Sequence, residues 1–482
     1  MIHIRRTKIL ATLGPATDDP ETLKKLLLAG VNAVRLNFSH GSHDEQLNRI
    51  KLVKKISQEI KRHIGIMADL QGPKIRVANF KNKSISLKNG ASFILDADMD
   101  DNAGDEHSVG IDYKNLPKDV APGDMLLLDD GRIAMQVLEV NHNKINCMVT
   151  TGGTLSNHKG INRQGGGLSA KALTNKDKKD LSFAVKNDVD YIAISFPRNA
   201  DDILEAKELI KKECSDQPPG IIAKIERAEA IDEIDNIILA SDGVMVARGD
   251  LAVEIGDAEV PLVQKKIIHC ARSLDKPVIV ATQMMESMIT CNVPTRAEVS
   301  DVANAVLDNT DAIMLSAETA AGTYPIEAVE AMHRVCMRVE EQPQSQVSSH
   351  RVELLFSKID ETIAMAAMYA ANHMECKAII AMSSSGRTPL IMSRIRTSIP
   401  IYGFSHIHRT LGKMTLYRGI IPIRFDTRKF SNTLELNAAA ITHLLAGGKF
   451  NDNDNIIITK GDTSGLSGGT NTLKILNIGD FK

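Results

Sequence analysis

No CxxC pair occurs among the six cysteines, Cys147, Cys214, Cys270, Cys291, Cys336 and Cys376. Their scatter argues against a disulfide framework and a structural zinc site, and leaves reduced core thiols as the reading. Nor is there an excess of charge of either sign. The 58 basic and 60 acidic side chains nearly cancel, so bulk charge shows neither a nucleic-acid footprint nor a polybasic membrane face. The opening MIHIRRTKIL runs into a strand-like segment without the long apolar stretch of a signal peptide or membrane span. A cytoplasmic protein with a small-molecule ligand, and with no nucleic-acid or membrane partner, is therefore expected. Internal repeats and low-complexity tracts are missing too. So is a GxGxxG turn after the first strand, where the chain reads GPATDD.

What is present is a rhythm. At 482 residues and 43% hydrophobic content the chain can bury a large core, enough for roughly two to four domains. Short β-branched runs alternate with amphipathic stretches, the pattern of parallel strands joined by crossover helices. TKILATLG, AVRLNFS and IGIMADL give three strands, and YIAISF, GIIAKI, GVMVARG, PVIVATQM and AIMLSAET give five more. Between them the text turns alternating and turn-rich, as in SISLKNGASFIL and the hairpin-like DMLLLDDGRIAMQVLEV. Eight β/α units fit a TIM barrel of about 250 residues; a doubly wound sheet, the structural alternative, would carry the missing glycine-rich turn. The expected α/β fold is thus a TIM (β/α)8 barrel over 1–70 and 168–342 with an inserted all-β lid domain at 71–167. After the polar linker EEQPQSQVSSHRVE, a C-terminal α/β regulatory domain is expected over 346–482.

Such a barrel carries its chemistry at the C-terminal ends of its strands. Strand two ends RLNFSH, where Arg35, Asn37 and Ser39 alternate and share a face. Strand three ends at Asp69, and strand five ends AKIERAE, with Lys224 and Glu226 again alternating. Strand six adds Arg248, Gly249 and Asp250, strand seven Thr282 and Gln283, and strand eight Ser316 and Glu318. Singly, each could be a solvated loop charge or a rim hydrogen bond; jointly they make a site. Glu226 and Asp250 form a hard-oxygen pair suited to Mg2+ or Mn2+, and no HxH or HExxH at these strand ends offers zinc an alternative. Lys224 and Arg35 beside that metal supply positive charge for a phosphoryl group or a developing enolate.

Around these residues, TKILATLGPAT, AVRLNFSHG, DLQGPKIR, HKGIN, AKIERAEA, VMVARGDLAVEI, ATQMMESM, PTRAEVSDVANAVLDNTDAIMLSAETA and SSSGRT resemble, in order and spacing, the signatures of the pyruvate kinase family. The resemblance implies Mg-dependent transfer of phosphate from phosphoenolpyruvate to ADP, giving pyruvate and ATP in glycolysis through an enolpyruvate that is then protonated. By it, Glu226 and Asp250 would bind the metal, Lys224 would neutralise the phosphoryl group in flight, and Arg35 would grip it from the other side. Gly249 and Asp250 would hold the substrate carboxylate through backbone amides at a helix start, which suits anions on physical grounds as well. Thr282 would stand beside the proton-delivery path, acting directly or through water. Asn37, Ser39, His40 and Arg76 resemble the nucleotide-facing set, joined by Lys159 from the insertion, which would close as a lid. A homotetramer is also implied.

One motif departs from the family pattern. Where many members read GPEIR and bind K+ near Asn37, Ser39, Asp69 and the backbone carbonyl of Leu70, this chain reads GPKIR. The fixed ammonium of Lys74 could supply that charge, so K+ is expected not to be required.

Toward the C-terminus, SSSGRTP follows a strand and precedes a helix. Ser383, Ser384, Ser385, Gly386, Arg387 and Thr388 could cradle a phosphate with hydroxyls, amides and a guanidinium, or could be an N-cap with an incidental Arg. The resemblance implies a phosphorylated allosteric effector here, with GLSGGTNT as its accompanying loop. AMP, a sugar monophosphate and a sugar bisphosphate all fit. Two other readings remain open: a lyase or aldolase that makes pyruvate enolate in a similar barrel, and a phosphometabolite sensor without turnover.

Overall fold

Eight fully parallel strands close on themselves: β1 (Lys8–Thr12), β2 (Ala33–Asn37), β3 (Gly65–Asp69), β4 (Tyr191–Ile194), β5 (Gly220–Ile225), β6 (Gly243–Ala247), β7 (Val278–Ala281) and β8 (Ala312–Leu315). Closure comes from β1 against β8, with Lys8 opposite Ala312 and Ala11 opposite Leu315. The computed structural model describes residues 4–214, 216–343, 355–446, 450–462 and 468–481, so most of the expected linker lies outside the described residues.

The strands are nearly continuous apolar runs because both of their faces are covered. Period two sorts the side chains. Leu10, Met67, Ile222, Met245, Ile279 and Met314 fill the barrel interior, while Ile9, Val34, Ile66 and Val244 pack outward under the helices. The helices start where short polar side chains can replace missing backbone partners. Ser42 with Glu45, Thr174 with Asp177 and Thr295 with Glu298 each exchange hydrogen bonds as reciprocal caps, opening His43–Glu59, Asn175–Lys186 and Arg296–Leu307. Among the described residues no helix is long and apolar enough to cross a membrane. All six cysteines are free.

Between β3 and β4 the chain leaves the barrel to build a six-stranded sheet and a two-stranded ribbon, with its own core around Phe93, Leu95, Leu126, Met135 and Ile145. The expected hairpin is present, with Met125–Leu128 antiparallel to Ile133–Asn141. At its tip Asp129, Asp130 and Gly131 take φ of 51°, 55° and 83°. That run of left-handed residues makes the chain reverse sharply. The tip thereby brings Asp130 to the barrel side, while Asp129 pairs with Lys159 inside the insertion.

The C-terminal sheet has four parallel strands, β9 (Cys376–Met382), β10 (Ile401–Ser405), β11 (Ile420–Arg424) and β12 (Asn455–Lys460). Its order is β11-β10-β9-β12-β13, where β13 (Thr472–Asn477) runs antiparallel along the edge. Neither β13 nor the short helix His408–Met414 was evident in the sequence pattern.

This domain docks on the N-terminal face of the barrel, opposite the strand ends expected to carry chemistry. Leu416 is buried among the barrel's interior side chains. Arg394 and Asp311 pair there with no exposure at all. Lys8, also buried, donates to the Ile420 carbonyl at 2.5 Å. Burial pulls that ammonium down to about 7. The helix comes so close that a Cβ on Gly412 would fall 1.8 Å from Asp190 Oδ1. Gly412→Ala is accordingly expected to lose roughly 1–3 kcal/mol of stability, read from the urea midpoint by circular dichroism.

Candidate active site

The C-terminal strand ends converge on one cluster of charge. Lys224, the penultimate residue of β5, points into the mouth and reaches Glu226 Oε1 at 2.8 Å and Asp69 Oδ1 at 3.3 Å. Arg35 Nε lies 2.5 Å from the other oxygen of Asp69. The buried Asp69 carboxylate is thus gripped by a cation from each side. Burial alone would raise its pKa, but Lys224 and Arg35 outweigh burial and hold it below its ordinary range. For Lys224 the balance runs the same way: burial lowers it, and Asp69 with Glu226 more than reverses that. Glu226 is where burial wins, and the nearby charge of Asp250 adds to the upward push.

Two strand ends that sequence reasoning passed over contribute hydroxyls to this cluster. Lys224 Nζ donates to Ser195 Oγ at 2.8 Å, and Ser195 in turn donates to the Leu70 carbonyl at 2.7 Å. Arg35 Nη1 donates to Thr12 Oγ1 at 3.2 Å. Thr12 ends β1 and Ser195 follows β4. Their only signal was a hydroxyl residue at a barrel strand's C-terminal end.

Lys74 comes from the start of the insertion, and its ammonium is 2.8 Å from Asp250 Oδ1 and 3.9 Å from Asp130 at the hairpin tip. Burial lowers it, but Asp250 and then Asp130 more than offset that and raise it. Among the described residues its ion pairs are with these two aspartates, not with Asp69. Asn37 and Asp69 do face each other across β2 and β3, and Asn37 Oδ1 accepts the Ser39 amide at 3.1 Å.

Thr282 and Gln283 both have positive φ, 70° and 55°. A β-branched residue there is strained by roughly 1–3 kcal/mol, and such strain concentrates at functional sites. Arg248 holds the turn in place. Its guanidinium donates to the carbonyls of Thr282 (2.6 Å) and Gln283 (3.2 Å) and is anchored on Asp301 at 2.6 Å. Held this way, Thr282 Oγ1 accepts the Gly249 amide at 2.9 Å at the start of the helix Arg248–Ile255. Glu318, at the edge of the mouth, is taken up by the backbone, accepting the amides of Met285 and Ser316. Lys74, Asp130, Gly249, Asp250 and Thr282 line one cavity of about 670 Å³ between barrel and insertion.

Of the expected nucleotide-facing set, Arg76 and Lys159 are on adjoining antiparallel segments of the insertion. Arg76 donates to the His158 carbonyl at 2.8 Å, and Lys159 pairs with Asp129 at 2.7 Å. Asn37 ends β2 and Ser39 and His40 follow it, and no described hydrogen bond or ion pair joins them to that pair.

A second cavity, of about 220 Å³, opens at the end of β9. Ser383, Ser384, Ser385 and Thr388 line it together with Lys460, which was not singled out from the sequence, and Thr470 of the expected effector loop. Gly386 turns the chain at φ 79° and its amide donates to Ser383 Oγ at 2.9 Å. Arg387 is not brought to the cavity: its guanidinium pairs with Asp360 at 2.7 Å and Glu361 at 2.5 Å. In the expected effector loop, 465–467 lie outside the described residues, while Gly468, Gly469 and Thr470 border the cavity.

Against known proteins, residues 4–329 match the family model described as pyruvate kinase, barrel domain, and residues 361–476 match pyruvate kinase, alpha/beta domain. The chain is 54% identical over 481 residues to a pyruvate kinase of Buchnera aphidicola subsp. Schizaphis graminum, covering 99% of both. It is 52% identical over 480 residues to pyruvate kinase II of Salmonella typhimurium, again covering 99% of both. With a pyruvate kinase of Haemophilus influenzae it shares 51% identity over 463 residues, 95% of this chain and 96% of that one.

Proposed function

The chain belongs to the pyruvate kinase family of phosphotransferases, and from that premise we propose that it moves the phosphoryl group of phosphoenolpyruvate to ADP with a divalent metal, giving pyruvate and ATP. The observation that carries this reading is the Lys224 ammonium, fixed between Asp69 and Glu226 and facing Arg35 across Asp69. Phosphoryl transfer needs preorganised positive charge around an anion more than it needs covalent chemistry from the protein.

Family membership implies a divalent cation, and the residues fit one. Glu226 and Asp250 offer only oxygen donors, and a dication would offset both the burial that chiefly raises Glu226 and the repulsion from Asp250 that adds to it. When bound, Mg2+ or Mn2+ would polarise the phosphoryl oxygens and neutralise charge. Every other role falls to side chains. Lys224 and Arg35 bind the phosphoryl oxygens from two sides. Ser195 and Asp69 keep the ammonium aimed. The Asp250 amide, joined by the Gly249 amide once it leaves Thr282 Oγ1, holds the substrate carboxylate, and Thr282, steadied by Arg248, stands on the proton-delivery side. Asn37, Ser39, His40, Arg76 and Lys159 form the nucleotide side, with the insertion at 71–167 closing over the mouth.

Lys74, fixed on Asp250, supplies a permanent positive charge beside the carboxylates, so K+ is not required. The C-terminal cavity, lined by the three serines and Lys460, takes a phosphorylated effector, and the assembly is a homotetramer. A turnover assay with phosphoenolpyruvate, ADP and Mg2+ tests the activity. ATP formation that needs the divalent cation and rises less than twofold on adding K+ is the expected result. Absence of ATP formation refutes the activity, and a large K+ stimulation refutes the role given to Lys74.

A further inference from the structure

Where the C-terminal domain meets the bottom of the barrel, Nε2 of His63, Oδ1 of Asp190 and Nη1 of Arg409 are buried with no hydrogen-bond partner among the described residues. His63 lies just before β3 and Asp190 immediately before β4. The exposed His408, first residue of the helix His408–Met414, reaches the same spot from the other domain. One ring nitrogen of each histidine and a carboxylate oxygen of Asp190 all lie within 4.8 Å of one another. We propose that His63, Asp190 and His408 form a transition-metal site that ties the barrel to the C-terminal domain, distinct from the divalent site at the barrel mouth.

Asp190 is only 2% exposed, and its other oxygen accepts the Ile66 amide at 2.9 Å. The carboxylate is therefore fixed in orientation. A buried carboxylate oxygen beside an unpartnered imidazole nitrogen is costly unless something satisfies both. Burial, reinforced by His408 and Arg424, holds His63 down at about 4, so its ring is neutral, the form that ligates.

Two imidazoles and one carboxylate suit Zn2+, Co2+ or Ni2+ far better than Mg2+. Bonds to these ligands are about 2.0–2.2 Å long, so the cluster must contract around an ion. His408, exposed at the start of its helix, is the arm free to close. Lys54, Arg409 and Arg424 weigh against a cation electrostatically, although Arg409 is itself paired with Asp188 at 2.8 Å. That environment disfavours an ion held by charge alone and favours one held by strong ligand bonds. Without an ion, the two rings would be held by their edge-to-face contact, with centroids 4.6 Å apart at 64°.

The test uses the full-length protein, stripped with a chelator and then kept in excess Mg2+ so that the mouth is saturated. Co2+ titration of the wild type is expected to give one ligand-field absorption signal per chain, abolished by Zn2+, and Zn2+ is expected to raise the calorimetric midpoint. His408→Ala, an exposed change, is expected to weaken Co2+ binding by more than the roughly 10–100-fold that losing a ligand's supporting partner costs, to lose the Zn2+ shift, and to keep its turnover. Asp190→Asn should likewise lose the signal. His406→Ala, two residues away and outside the cluster, should bind as the wild type does. Equal Co2+ binding by wild type and His408→Ala, no signal in the wild type, or loss of it only in His406→Ala overturns the proposal.

Discussion

Lys224→Met is expected to lower kcat by at least about 10³-fold, because removing one preorganised charge from a dry phosphoryl-transfer site costs that much or more. The methionine fills the same volume, so the loss is electrostatic. It leaves Asp69 and Glu226 buried with less compensation, and a stability loss of about 3–5 kcal/mol accompanies the change. Two measurements separate these effects. Coupled assay of pyruvate formation gives kcat, and Mn2+ binding followed by electron paramagnetic resonance reports whether the variant binds the cation proposed for Glu226 and Asp250. Retained Mn2+ binding with collapsed turnover is the expected pair, whereas normal turnover would refute the role of Lys224.

Arg394→Met should cost about 3–5 kcal/mol of folding stability without touching the mouth, since it strands a carboxylate with no access to water. Asp311 also accepts the amides of Val278 and Arg418, both at 3.0 Å, so it organises the start of β7 and β8 as well as the docked domain. Adding Asp311→Leu should recover only part of the loss, because those amides are then left unpaired. The chain has no tryptophan. Circular dichroism in urea or calorimetry is therefore the suitable measurement, and a shift below about 1 kcal/mol for Arg394→Met would contradict the argument.

The barrel was legible because its strands, buried on both faces, stand out as apolar runs, and because period two places Lys224 with Glu226 and Arg35 with Asn37. Other features depend on long-range geometry. Nothing local says that Lys74 reaches Asp250, or that Ser195 supports Lys224 across 29 positions. Arg248 and Glu318 stand at the expected strand ends, yet their partners are largely backbone atoms, which a list of polar residues cannot distinguish from substrate contacts. Arg387 looked like a phosphate ligand until Asp360 and Glu361, more than twenty residues earlier, claimed its guanidinium. His408 lies far from the mouth, and its closeness to His63 and Asp190 becomes visible only when the domains are docked.

The bond from Lys8 to the Ile420 carbonyl spans 412 positions of the chain. On a ribosome adding roughly 5–20 residues per second, the first strand emerges on the order of 20–80 s before that acceptor exists. Even its neighbour in the sheet, β8, is synthesised some three hundred residues later. During that interval the edge of β1 away from β2 has no partner strand, and Lys8 has no Ile420 carbonyl to meet. Chaperone occupancy on nascent chains should therefore persist until β8 has left the exit tunnel, and fall again once β11 has followed it.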